Sequence, residues 1–152
     1  MPAAVIDADT HLFETRSLWI DHLPATRRHL ALRMVDDDQG YTWLTAPDGA
    51  RIHLAEVHTP GDVTPMGERR RRQRRGLPPE ISFDELPAPH HDPVARVELM
   101  DGQGIDEALV FPNFGLFWVR TLEPQPDVQL ANMEAWNRWA REGIRCRRSW
   151  SG

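Results

Sequence analysis

Lysine is missing from this chain of 152 residues, and all 18 basic residues are arginine. That bias reads as GC-rich coding rather than chemistry, because lysine serves equally well on most exposed surfaces. With 23 acidic residues the net charge is −5. Nothing therefore draws the whole chain to nucleic acid or to an anionic membrane, and neither is expected as a partner. Cys146 is the single cysteine, which excludes an intramolecular disulfide and argues against a structural zinc knuckle. No apolar run approaches the ~20 residues needed to cross a bilayer. The opening "MPAAVIDAD" has neither the basic start nor the long apolar stretch of a signal peptide, so a cytoplasmic location is the expectation. No internal repeat is present. What remains, 40% apolar and 27% charged, is the balance of a folded domain rather than a disordered segment.

Read along its length, the chain starts with a strand, Ala3 to Asp9, in which Val5 and Ile6 favour extended backbone. Thr15 to Leu30 has helical spacing and is broken by Pro24, with Pro24 opening a second short turn. Residues 31–56 read as an inserted β-hairpin or meander: "LRMVDDD", "YTWLTA" and "ARIHLAE", joined by Gln39-Gly40 and the turn Pro47-Asp48-Gly49. Residues 58–92 form a long loop rich in Pro, Gly and Arg, with a capping box from Ser82 to Glu85 inside it. Asp92 can cap a helix that begins at Pro93, carries Val94, Val97 and Met100 on one stripe, and stops near Gly102 and Gly104. "IDEALVFP" reads as a buried strand, Ile105 to Phe111, ended by Pro112. A loop rich in Phe, Gly and Trp follows, and then a helix from near Asp127 with Val128, Ala131, Ala135 and Trp139 on one stripe. Residues 141–152 have no apolar period and read as an atypical, disordered tail, which leaves Trp136 and Trp139 without a packing partner. Strands alternating with helices at this spacing predict βαβ units and a parallel sheet.

On a strand, alternate residues share a face, so Asp7, Asp9 and His11 would line up. Asp9 and His11, roughly 7 Å apart at Cα, could converge on one divalent cation through oxygen and imidazole nitrogen. The same pair also suits a helix cap or a loop contact. Asp7, deeper on that face, would be paired by an arginine or a helix N-terminus supplied from beyond this chain, or would reach solvent if the strand twists or ends early. At the end of the later strand, Pro112, Asn113, Phe114 and Phe117 could wall a substrate pocket suited to a planar or unsaturated molecule, or pack under a loop.

"ERRRRQRRG", Glu68 to Gly76, sets six arginines within seven residues. It is either a phosphate-binding tract or a solvated, self-repelling loop, and no aromatic residue interleaves it to stack on bases. His90 and His91, being adjacent, point apart on an extended chain. His53 and His58 flank "LAEV", with His53 in a strand and able to pair across the hairpin, and Cys146 has no nearby histidine to activate it.

"VIDADTHLFE", together with "DPVARVELMDGQGIDEALVFPNFGL" and "NMEAWNRWA", resembles the N-terminal part of the amidohydrolase-related proteins. These form the branch of the amidohydrolase superfamily that includes aminocarboxymuconate-semialdehyde and resorcylate decarboxylase-like enzymes. The likeness runs over about residues 4 to 140, and "DPxxRxxxMDxxGID" leading into an apolar strand is its most specific part. It implies an α/β fold, namely an incomplete (β/α)8 TIM barrel holding the first two or three strands, interrupted by the meander and the Arg-rich loop. It implies one divalent metal, zinc or manganese, whose first ligand pair falls on Asp9 and His11. The wider superfamily usually has His where Asp9 stands. The remaining ligands, two His on middle strands and an Asp on the last, would lie past residue 152, so the fragment would hold no catalytic residue and would not bind the metal tightly.

The function implied is the N-terminal portion, residues 1–140, of a metal-dependent hydrolase of C–N or C–O bonds, or of a carboxy-lyase, inactive alone. Its partner would be a small carboxylated substrate, with no membrane and with homo-oligomerisation through exposed edges. The alternatives are a non-catalytic module that binds through the Arg tract, and a truncated gene product without independent function.

Overall fold

In a computed structural model of the chain, residues 3–39, 41–52 and 63–144 are described, without the side chains of Leu116, Phe117 and Ile144. In chain order these residues form β1 (Ile6–Leu12), α1 (Leu18–Asp21), a 3-10 turn (Ala25–Leu30), β2 (Arg33–Asp36), β3 (Thr42–Thr45), β4 (Arg51–Ile52) and α2 (Met66–Arg74). Two short 3-10 turns, Phe83–Glu85 and Ala88–His90, lead to α3 (Pro93–Gln103), β5 (Glu107–Pro112), α4 (Gly115–Thr121) and α5 (Pro126–Ile144).

β1 and β5 pair in parallel, with Ile6 beside Glu107 and Leu12 beside Pro112. α3 lies between them in sequence, giving a β-strand, helix, parallel-strand unit. Its boundaries follow local chemistry. The Asp92 side chain accepts from the Val94 amide at 2.9 Å, Pro93 occupies the first turn, and Gly104 closes the helix at φ +69°, where a side chain would be strained. β2, β3 and β4 form a separate antiparallel meander in that order, as the alternating pattern predicts. Its inner face buries Leu44 and Ile52.

Four expectations are corrected. The Arg-rich stretch is not all loop: Met66–Arg74 is a nine-residue helix. Met, Glu, Arg and Gln are all good helix formers, and the helix escapes a periodicity search because it buries none of its residues. The Phe/Gly/Trp-rich segment is also helical, as α4. β5 is not buried; Leu109, Val110 and Phe111 are each 40% exposed or more, as are Val5 and Ile6 beside them. A two-stranded sheet cannot cover its own apolar faces. Finally, Trp136 and Trp139 do have a packing partner. They meet edge to face at 5.9 Å and lie against the core. The tail 145–152 lies outside the described residues, as do His53, His58 and Cys146.

The core therefore sits beyond the C-terminal end of the parallel sheet rather than upon it. Phe13, Leu18, Trp19, Leu23 and Leu32 come from the first third of the chain, Ile81, Phe83 and Leu86 from the middle, and Trp118, Leu122, Val128, Ala131 and Ala135 from α4 and α5. Asn132 is wholly buried within it. Its Oδ1 accepts from the Leu32 amide at 2.8 Å, while its Nδ2 donates to the carbonyls of Leu30 and Val128. That fully bonded amide fixes α5 against the 3-10 turn. No helix of the described residues is long and apolar enough to cross a membrane.

Candidate functional site

The parallel pair brings the C-terminal ends of β1 and β5 side by side, with His11 paired to Phe111 and Leu12 to Pro112. β1 does not run evenly to that end. Its register slips between Asp7 and Thr10, where two residues of β1 stand against one of β5. A bulge of this kind breaks the alternation of side chains.

Asp7 lies before that slip, half-buried, with its Oδ1 accepting from the Asp9 amide at 3.1 Å. It also lies within the field of Arg96 on α3, whose guanidinium donates to Thr10 Oγ1 at 3.3 Å and to the His11 carbonyl at 3.0 Å. Burial holds Arg96 below the ordinary arginine range, and the charge of Asp7 acts against that. The bond that the Asp7 side chain makes is thus local, and Arg96 adds a favourable charge nearby.

Asp9 and His11 remain together. Asp9 Oδ1 lies 3.4 Å from His11 Nε2, with the carboxylate largely exposed and the imidazole about one-third exposed. The other ring nitrogen, Nδ1, lies 3.2 Å from the Pro112 carbonyl. A carbonyl only accepts, so this contact is a hydrogen bond when Nδ1 carries a proton, and the tautomer it favours has its lone pair on Nε2. Two lone-pair donors then face one another across 3.4 Å. With a second ring proton the same contact is an ion pair of imidazolium and carboxylate. By contrast, two donors on one tetrahedral ion with bonds of ~2.1 Å stand ~3.4 Å apart. Among the described residues no group of three His, Cys, Asp or Glu side chains is placed to hold an ion.

The floor of this region is set by a residue that pattern reading did not single out. Glu14, two residues after β1, is wholly buried. Its two oxygens accept from the Phe114 and Gly115 amides, both at 2.9 Å, and from the Trp136 indole at 3.2 Å. Burial pushes its carboxyl above the ordinary carboxylate range, while those bonds act in the opposite direction. Glu14 thereby ties β1's exit to the start of α4 and to α5. Its only sequence signal is a carboxylate directly after the apolar pair Leu12-Phe13. A second clamp is Arg16, which grips Asp84 through two bonds of 2.9 and 3.0 Å, reaches Asp36 at 3.1 Å, and stacks on Phe83.

Of the residues expected to wall a pocket, Pro112 and Asn113 are half-buried at the strand end, next to His11. Phe114 is buried at 7% exposure and packs on Phe13 and Phe83 with ring centroids 5.6 and 6.2 Å apart. It serves the core, which is the packing role also open to it. Phe117 lies in α4, and its side chain is outside the described set. In the His90-His91-Asp92 run, Asp92 caps α3, and His90 uses its carbonyl to accept from the Phe13 amide at 2.7 Å. Burial, aided by the charge of Arg96, holds the His90 imidazole below its ordinary range. Trp43 of the meander donates to Asp37 at 2.8 Å and lies under Arg51.

Comparison with known proteins gives one kind of match. No family model matches the chain, and neither does any curated protein. Among solved structures it is similar to an amidohydrolase from Mycobacterium avium subsp. paratuberculosis, at 24% identity and a TM-score of 0.66. The match covers 94% of this chain and 39% of that one. The likeness is one of fold, an α/β arrangement of the TIM-barrel kind, and the chain spans about two-fifths of its neighbour's length.

Proposed function

We propose that this chain is the N-terminal part of a metal-dependent amidohydrolase-like barrel enzyme, in which Asp9 and His11 supply the first two ligands of a divalent ion. The observation that carries the reading is the Asp9 carboxylate and the His11 imidazole 3.4 Å apart at the C-terminal end of β1. In parallel barrels this is the end where the chemistry sits. The surroundings fit the assignment. The Pro112 carbonyl favours the His11 tautomer with its lone pair on Nε2, and Arg96 holds the His11 carbonyl, the kind of outer support that metal-ligating imidazoles depend on. Aspartate and imidazole suit zinc or manganese.

When bound, such an ion would polarise a substrate carbonyl or carboxylate for hydrolysis or for loss of CO₂. The chain's own residues do the placing: Asp9 and His11 hold, Pro112 and Arg96 orient, and Glu14 keeps the adjoining β5–α4 turn in position. A general acid or base and the other ligands would come from further strands, so the 152-residue chain alone is expected to bind the ion weakly and turn nothing over. The substrate class that follows is a small carboxylated molecule.

The test is a zinc titration of this chain followed by NMR of the imidazole protons. Saturable shifts confined to His11 and abolished in Asp9→Asn are expected. Shifts that persist in Asp9→Asn, or that never reach His11 at millimolar zinc, would overturn the assignment.

A further inference from the structure

The six arginines of residues 69–75 are sorted by α2 into two sets. Arg69 and Arg72 turn toward the protein, where Arg69 meets Glu80 at 3.1 Å and Arg72 donates to the Pro78 carbonyl at 2.7 Å. Arg70, Arg71, Arg74 and Arg75 are exposed on the side away from these contacts, with Arg74 beside both Arg70 and Arg71, and Arg75 beside Arg71, at three- and four-residue spacing. Gly67 lies on that same face, three residues before Arg70 and four before Arg71. A side chain there would meet nothing within 4 Å, so packing does not demand a glycine. Its lack of a side chain opens the floor between the arginines. The result is a cleft of about 430 Å³ lined by Gly67, Arg70, Arg71, Arg74 and Arg75.

Charge inside the cleft is unbalanced. Glu68 pairs with Arg71. Among the described residues no hydrogen bond or ion pair engages Arg70, Arg74 or Arg75. Arg70 with Arg74, and Arg71 with Arg75, stand at the four-residue spacing where like charges repel along a helix. α2 buries no residue to offset this. Such a helix gains order when an anion enters and cancels the repulsion, and the planar fork of arginine matches the paired oxygens of a phosphate.

We infer that this face of α2 is a binding site for a compact oligophosphate anion, of pyrophosphate to triphosphate size. The four lining arginines fall within six consecutive residues, a span of ~8 Å along the helix axis, which suits two or three linked phosphates rather than a long strand. No aromatic side chain lines it to hold a base. The site stands apart from Asp9 and His11, and the inference does not rest on the metal reading.

The test uses the 152-residue chain and inorganic pyrophosphate at low salt. Calorimetry should show one ion bound per chain, and hydrogen exchange should show new protection confined to residues 66–77. Arg70→Gln/Arg74→Gln, which preserves helix propensity, should weaken binding about tenfold or more. Arg28→Gln/Arg120→Gln, which removes the same charge from exposed positions elsewhere, should change it less than about twofold. Any of four results would overturn the inference: no binding, equal weakening in both double variants, protection outside α2, or affinity that keeps rising with the length of an oligothymidylate. The last would assign the face to a phosphodiester strand. Dimerisation in place of pyrophosphate binding would assign it to the acidic surface of a second copy.

Discussion

Replacing Glu14 with Gln changes one atom of a fully buried side chain and tests how β1 is tied to the rest of the molecule. Oε1 takes the Gly115 N and Trp136 Nε1 protons, Oε2 takes that of Phe114 N, and the carboxylate is also bonded by the amide of Glu14 itself. Glutamine can place its oxygen where Oε1 stands and keep two bonds. Its amide nitrogen then faces the Phe114 N–H, and one buried donor is stranded. An unsatisfied buried donor costs roughly 1–3 kcal/mol. For a domain of this length that is a fall in melting temperature of roughly 2–12 °C, readable by calorimetry or urea denaturation. The pH dependence is diagnostic as well. Because burial raises the Glu14 carboxyl above its ordinary value of 4.5, the folded chain keeps this proton to higher pH than the unfolded chain does. The stability so contributed is complete below the unfolded value and is lost as pH rises through the folded one. Glutamine does not titrate, so the gap between wild type and Glu14→Gln should narrow as pH climbs above about 4.5. A variant within about 0.5 kcal/mol of wild type, with a parallel pH profile, would show that the carboxylate is not the clamp described.

Three further substitutions probe the same frame. Gly115→Ala would place its new carbon 2.6 Å from Pro112 Cβ and 3.3 Å from Glu14 Oε1. Since neither the proline ring nor the buried carboxylate can retreat freely, a loss of roughly 1–3 kcal/mol in denaturant unfolding is expected. Asn132→Leu leaves the Leu32 amide and the Leu30 and Val128 carbonyls without their buried partner. It should destabilise by at least about 2 kcal/mol, with exchange protection lost first across residues 30–32 and α5. Asp92→Ala removes the α3 cap and should lower stability by about 1 kcal/mol, measured by the same unfolding curves, while leaving zinc-induced shifts at His11 intact.

Much of the local framework was legible in the residues alone, because local signals act within a few positions. Asp92 with Pro93 marks a helix start, Gly104 an end, and Pro47-Asp48-Gly49 a turn; each is a backbone preference that neighbouring residues cannot easily override. Ser82 and Glu85 form their expected reciprocal contact, with the Glu85 carboxylate 2.9 Å from the Ser82 amide. The placement of Asp9 and His11 on one face also followed from spacing, since only one peptide pair separates them. The Arg tract was misread for the converse reason: its helix rests on propensity and single ion pairs, and leaves no hydrophobic period.

What only tertiary structure decided are the contacts between residues far apart in the chain. The register slip in β1 and the charge of Arg96, a residue more than 80 positions later, together set the surroundings of Asp7. Glu14 finds donors 100 or more positions downstream, and Phe114 packs on Phe13 and Phe83. No periodicity in a sequence encodes such pairings, because they depend on how whole elements dock and on which buried polar atoms are left needing a partner. The residue types and their spacing settled what chemistry was available; the packing settled which groups meet.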